Sequence, residues 1–240
     1  MNGLMDTVKE NVVFLLEFLA VVVVIFLIAY IAEKIAAKRS ESKERILSTR
    51  KVAMIGMFSA ISAILMLFEF PMPFAPGFYK LDFSELPVLI GTFAFGPVAG
   101  VMIEFCKIVL KLLFKSTSTA FVGELANFTV GCSFIVPASI IYLFRKNKKN
   151  AIIGLGLGTL VCVVVGCLLN AFLLLPAYSK AFHMDIEALI AMGTAANKAI
   201  DSMLTFVLFA TAPLNFLKCG AVSVITMLIY KPISRILKGE

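Results

Sequence analysis

KLDFSELPVLIGTFAFGPVAG, residues 80–100, sets three charges and a serine within six residues, then an apolar run that stops at Phe-Gly-Pro. A helix needs about 20 apolar residues to cross a bilayer. The run from 86 to 95 is too short to do so, whereas the one that follows the turn, 97–114, is longer. The stretch therefore reads as a helical hairpin: a short helix, a tight turn at 95–97, and a longer return helix. Its charged entry at 80–85 is unusual in a chain this apolar.

The rest of the chain sets the context. Of 240 residues, 60% are hydrophobic and 15% charged, with a mean hydropathy of +0.99. Soluble domains are about one-quarter charged, so the class is integral membrane. Residues 12–32 form a first spanning segment. A secretory signal is the competing reading, but the basic cluster follows the run and the run is long for a signal core, which favours an uncleaved anchor. Apolar helices are then expected at 52–68, 86–95, 97–114, 121–144, 151–175 and 203–230. A Pro-rich loop fills 69–79, and a mixed segment with a short interfacial helix fills 178–200. The expected fold is all-α: a six-helix membrane domain over 52–240, a basic linker over 33–51, and one extra transmembrane helix within 1–32.

Basic residues orient such a bundle. Seven of the 22 lie in 33–51, four in 145–149 and three in 231–238. Alternating spans put all three groups on the cytoplasmic side, with the N-terminus outside and the C-terminus inside. The net charge of +7 is then a topology signal and implies no nucleic-acid partner. The loops at 69–85, 115–120 and 176–202 fall outside.

Polar side chains inside a membrane are costly, and each is a candidate for function. Glu124 and Asn127 lie in the first turns of the 121–144 helix, and Asn170 lies near the outer end of its own. In the last helix Asn215 and Lys218, three apart, share a face, with Pro213 just before them to loosen the backbone. Polar groups thus gather in the outer half of one bundle, as a pocket open to the outside. The Phe- and Pro-rich loop with Tyr79 lies over it as a lid. Apolar walls with a few amides and one lysine suit a flat heteroaromatic ligand bearing hydroxyls. Bland readings hold for other residues. Lys107, Lys111 and Lys115 are expected to snorkel to the outer surface. The sequon at Asn127-Phe-Thr129 falls in a span, and His183 is a loop residue. Cys106, Cys132, Cys162, Cys167 and Cys219 all lie in apolar runs without a CxxC pair and read as packing residues.

Two stripes of small residues stand out. Gly154, Gly158, Cys162 and Gly166 lead to Asn170 on one face, as close helix packing requires. Gly56 and Ala60, with Ser59 and Ala63 beside them, form a second stripe that either packs internally or docks another membrane protein. No GxxxxGK[ST], HExxH or GxSxG occurs, so no enzyme is expected. Transport against a gradient then needs a partner that supplies energy; without one, the protein is a stand-alone facilitator.

FYKLDFSELPVLIGTFAFGPVAGV and PLNFLKCG, with its Asn-x-x-Lys, resemble the substrate-binding S components of energy-coupling factor (ECF) vitamin transporters, above all the riboflavin-specific type. The likeness covers roughly residues 50–236. It implies a bacterial cell-membrane protein that binds riboflavin as its transported ligand, without cofactor or metal. It also implies docking on a module of one membrane T subunit and two ATPases. S components for pantothenate, thiamine, folate or biotin share the fold. The Asn-x-x-Lys resembles the riboflavin-specific type's ligand-binding motif, which implies ligand contacts at Asn215 and Lys218; Asn127, Asn170 and Glu124 in the outer half of the bundle, and Phe78, Tyr79 and Asp82 in the loop over it, complete the expected set. The resemblance places the T-subunit contact at Gly56, Ala60 and Ala63. The extra N-terminal helix departs from the family pattern.

Overall fold

The computed structural model describes residues 12–39, 46–117 and 119–238. The start of the anchor segment and residues 40–45 of the basic linker lie outside the described residues. Helix α1 spans Val12–Arg39 and α2 Thr49–Leu67. A two-residue ribbon, β1 (Phe70–Pro71) with β2 (Lys80–Leu81), pairs Phe70 with Leu81 and Pro71 with Lys80 in antiparallel register. Then come α3 (Glu85–Phe95), α4 (Pro97–Phe114), α5 (Val122–Phe144) and α6 (Lys148–Leu169). Short helices α7 (Leu175–Phe182), α8 (Ile186–Ala196) and α9 (Met203–Phe206) lead to α10 (Ala212–Lys238).

Five helical segments among the described residues are long and apolar enough to cross a membrane: Val12–Arg39, Thr49–Leu67, Val122–Phe144, Lys148–Phe182 and Met203–Ile229. The hairpin expected at 80–114 is present. Gly96 adopts φ +103°, a conformation favouring glycine, and Pro97 opens α4 at the position where its missing N–H costs nothing. At 1.5 Å per residue α3 is only about 16 Å long, so it begins part-way through the bundle, among other helices. Nearly all of it is buried.

Two boundaries differ from expectation. Helix α1 continues to Arg39, seven residues into the segment read as a linker, because Ile35, Ala36 and Ala37 sustain the helix between its basic residues. Its Glu33 is buried and accepts the Val98 amide at 3.1 Å, capping α4. The 151–175 span is longer too, running from Lys148 through a π-helical turn, Asn170–Leu174, into α7.

The glycine stripe of α6 packs as its spacing requires. Gly154 and Gly158 sit so near α5 that a Cβ on either would lie 2.5 Å from the carbonyl oxygens of Ala138 and Phe134, respectively. By contrast, Gly56 and Ala60 of α2 are exposed, with nothing near a Cβ at Gly56, while Ala63 is buried.

Candidate ligand-binding site

Two of the three long helices that supply the amides, those carrying Asn170 and Asn215, are irregular where the site forms. Pro176 and Pro213 lack the N–H that would bond four residues back, and each ring crowds the carbonyl there. The turn before each proline widens to π geometry, at Asn170–Leu174 and Val207–Thr211. Such single π turns recur at functional sites. Asn170 and Thr211 both lie in these turns, and Tyr79 bridges them: its hydroxyl donates to Asn170 Oδ1 and lies 3.0 Å from Thr211 Oγ1. Asn170 Nδ2 donates to the Gly166 carbonyl at 2.8 Å, which fixes its amide. Burial pushes the Tyr79 phenol up, so it stays protonated and donates.

A cavity of about 110 Å³ lies beneath this bridge. Its walls include Asn127, Asn170, Asn215 and Lys218, the two cysteines Cys162 and Cys219, and the rings of Phe134 and Tyr178. Phe78 and Tyr79 roof it. Phe78 contacts the rings of Tyr79, Tyr178 and Phe182 at centroid distances of 5.1, 5.2 and 6.0 Å. Gly166 is required here by Asn215, whose amide nitrogen occupies the place of a Cβ. Asn127 Nδ2 donates to the Gly123 carbonyl at 2.9 Å, leaving its oxygen as acceptor.

The charged entry at 82–85 turns inward. Lys218 Nζ lies 3.1 Å from Asp82 Oδ2 and 3.3 Å from Glu85 Oε1. Lys107 Nζ lies 3.0 Å from Glu85 Oε1, 2.7 Å from Glu104 Oε1 and 3.1 Å from Ser84 Oγ. Burial pushes the Asp82 carboxyl up, but Lys218, Lys107 and the Ser84 hydrogen bonds outweigh it and hold it at about 2. Three carboxyl groups thus face two ammonium groups around the inner end of the cavity. Gly131 clears the space, since a Cβ there would lie 2.6 Å from Glu104 Oε1.

Of the eight expected ligand-contact residues, Phe78, Tyr79, Asn127, Asn170, Asn215 and Lys218 line one cavity. Asp82 stands behind Lys218 and positions it. Glu124 faces away: it accepts Thr117 Oγ1 at 3.0 Å and meets Lys111 Nζ at 3.6 Å. Snorkelling describes Lys115, which is half exposed and paired with Glu69 at 2.6 Å. It does not describe Lys107, which is fully buried. Lys107 turns in because Glu104 lies one turn before it on the same helix and α3 begins beside it with Ser84 and Glu85. Glu85 and Glu104 were missed by the sequence reading. The signal for Glu104 was its spacing with Lys107 and Lys111 on one face of an apolar helix.

The lid is held at its base. Glu69 bonds Lys80 at 2.7 Å as well as Lys115. Partial burial raises the Glu69 carboxyl, but these two lysines outweigh it and hold it below the usual range.

Residues 50–230 match the family model for the substrate-specific component of ECF transporters. The chain is 34% identical over 189 residues to riboflavin transporter RibU of Staphylococcus aureus (strain TCH60), covering 79% of this chain and 93% of that protein. It is 31% identical to riboflavin transporter FmnP of Bacillus subtilis (strain 168), covering 77% and 92%. A solved S component of a bacterial ECF transporter superposes with a TM-score of 0.62 at 33% identity, covering 78% of this chain and 97% of that one. The chain belongs to the family of ECF transporter substrate-specific components.

Proposed function

We propose that this chain is the riboflavin-binding S component of an ECF transporter, with riboflavin as transported ligand and no resident cofactor. The observation that carries the reading is the convergence of Asn127, Asn170, Asn215 and Lys218 under an aromatic roof. Amides offer donors and acceptors together, as ribityl hydroxyls and the polar edge of a flavin ring require. Phe78, Phe134 and Tyr178 offer faces for the ring itself. Relatives named as riboflavin transporters support the same ligand. Small-molecule sites enclose roughly 300 Å³ or more, so the ligand enters by displacing the lid. Loss of the Tyr79 bridge between the two π turns is the opening step.

The chain carries no phosphate-binding loop of its own. Translocation then draws on a T subunit and two ATPases, docked at the exposed Gly56–Ala60 stripe of α2. The pocket end faces outside and the basic end the cytoplasm, in line with the lysine and arginine clusters. The absorbance spectrum of the purified protein tests the ligand. A flavin band, or one restored by incubation with riboflavin, is expected. A protein that stays colourless and unchanged after incubation contradicts the reading.

A further inference from the structure

The larger cavity lies at the opposite end from the ligand site, about 400 Å³ enclosed between α1, the Gly96 turn and the end of α5. Three cations from three separate segments line it: Arg39 of α1, Lys51 of α2 and Lys146 in the α5–α6 turn. One carboxylate, Glu33, also lines it, but that group is buried and engaged by the Val98 amide. A Cβ on Gly96 would lie 2.8 Å from the Glu33 carboxylate, so glycine is needed for α1 to seat there. Among the described lining residues the three cations outnumber the one carboxylate. The floor is apolar and aromatic, and Arg39 is 5.9 Å from the Phe144 ring centroid.

Depth fixes what such a cavity can hold. It lies where α1 and α5 end and polar residues begin, the level of lipid headgroups. Basic cavities between helices at that level bind phosphate-bearing headgroups, with the glycerol and acyl portion against apolar wall. Guanidinium and ammonium groups are the donors that phosphate takes. The cavity depends on α1, which lies before the start of the family match at residue 50. A function tied to it is thus separate from ligand capture.

We propose that this cavity is an anion site for a phosphate group, filled in the membrane by the headgroup of an acidic phospholipid, which ties the added helix α1 to the six-helix domain. The test uses the full chain in detergent and reads the thermal unfolding midpoint on adding phosphatidylglycerol, phosphatidylcholine or inorganic phosphate. Saturating a site that exists only in the folded state raises the midpoint by about 5 °C. Phosphatidylglycerol is expected to do so and phosphatidylcholine is not. The doubly substituted Arg39→Gln, Lys146→Gln protein should lose the increment, while Lys148→Gln, Lys149→Gln, which removes two cations that do not line the cavity, should keep it. Both pairs are exposed, so folding should survive. A comparable increment from inorganic phosphate alone, lost in the same double variant, would support the anion site with a soluble occupant. Equal effects of the two lipids with none from inorganic phosphate, or an increment that survives Arg39→Gln, Lys146→Gln, would overturn the proposal.

Discussion

Lys218 is both a cavity wall and one end of a buried ion-pair chain, and the two roles predict different losses. With Asn215 it offers the polar contacts that a neutral ligand needs, and leaving a buried polar group unpaired costs about 1–3 kcal/mol. Asn215→Ala should therefore weaken riboflavin binding about tenfold to a hundredfold, with little loss of stability. Lys107 lies deeper in the same chain and does not line the cavity. Lys107→Met leaves Glu104 buried without its cation and Glu85 with Lys218 alone, at 3.3 Å, a loss of about 3–5 kcal/mol, read as a lowered thermal midpoint. Lys115→Met removes an exposed pair and should cost under about 1 kcal/mol. Asp82 adds a pH signature. Its folded value, about 2, lies below the 3.8 of an ordinary aspartate. Its contribution is therefore complete above pH 4 and lost as pH falls towards 2, about 2 kcal/mol in all. Across that window the midpoint of the native protein should fall more steeply than that of Asp82→Asn.

At the scale of the element, small residues serve opposite ends. Gly158 of α6 closes the α5 interface, so Gly158→Leu should cost several kcal/mol through overpacking and lower expression of folded protein. Gly56 and Ala60 of α2 are exposed, and nothing lies within 4 Å of a Cβ at Gly56. Gly56→Leu or Ala60→Leu should leave riboflavin affinity within about twofold while abolishing uptake in cells that hold the T subunit and ATPases. Binding lost together with uptake would mean that the stripe supports the fold. The helices were legible because apolar runs and Gly-Pro punctuation report length directly. The α6 stripe was legible for the same reason, as a period along one strand of sequence. The end of α1 was not, because a charged helix terminus and a charged linker have the same composition. Nor were the π turns: Pro213 announced a disturbance, but its form depends on the carbonyls a turn earlier. Glu85, Glu104 and Lys107 escaped because ion pairing between α3 and α4 is a tertiary fact. From sequence alone, a lysine near a helix end has water as its default partner.

At the scale of the whole molecule, the two ends differ in chemistry. One holds the lid, the amides and the aromatic roof; the other holds the basic turn at 145–149 and the α1–α5 cavity. In a background lacking the native cysteines, a cysteine at Lys198 should react with an impermeant thiol reagent in intact cells. One at Asn147 should react only after permeabilisation, and the reverse pattern would invert the proposed orientation. The central claim is that the cavity under Tyr79 is the riboflavin site, and titration of the purified protein with riboflavin, followed by quenching of flavin fluorescence, tests it most directly. The account predicts saturable one-to-one quenching, weakened about tenfold or more by Asn215→Ala or Lys218→Ala and little changed by Lys115→Met. No quenching by the folded native protein, or native affinity in both the Asn215 and Lys218 variants, would contradict it.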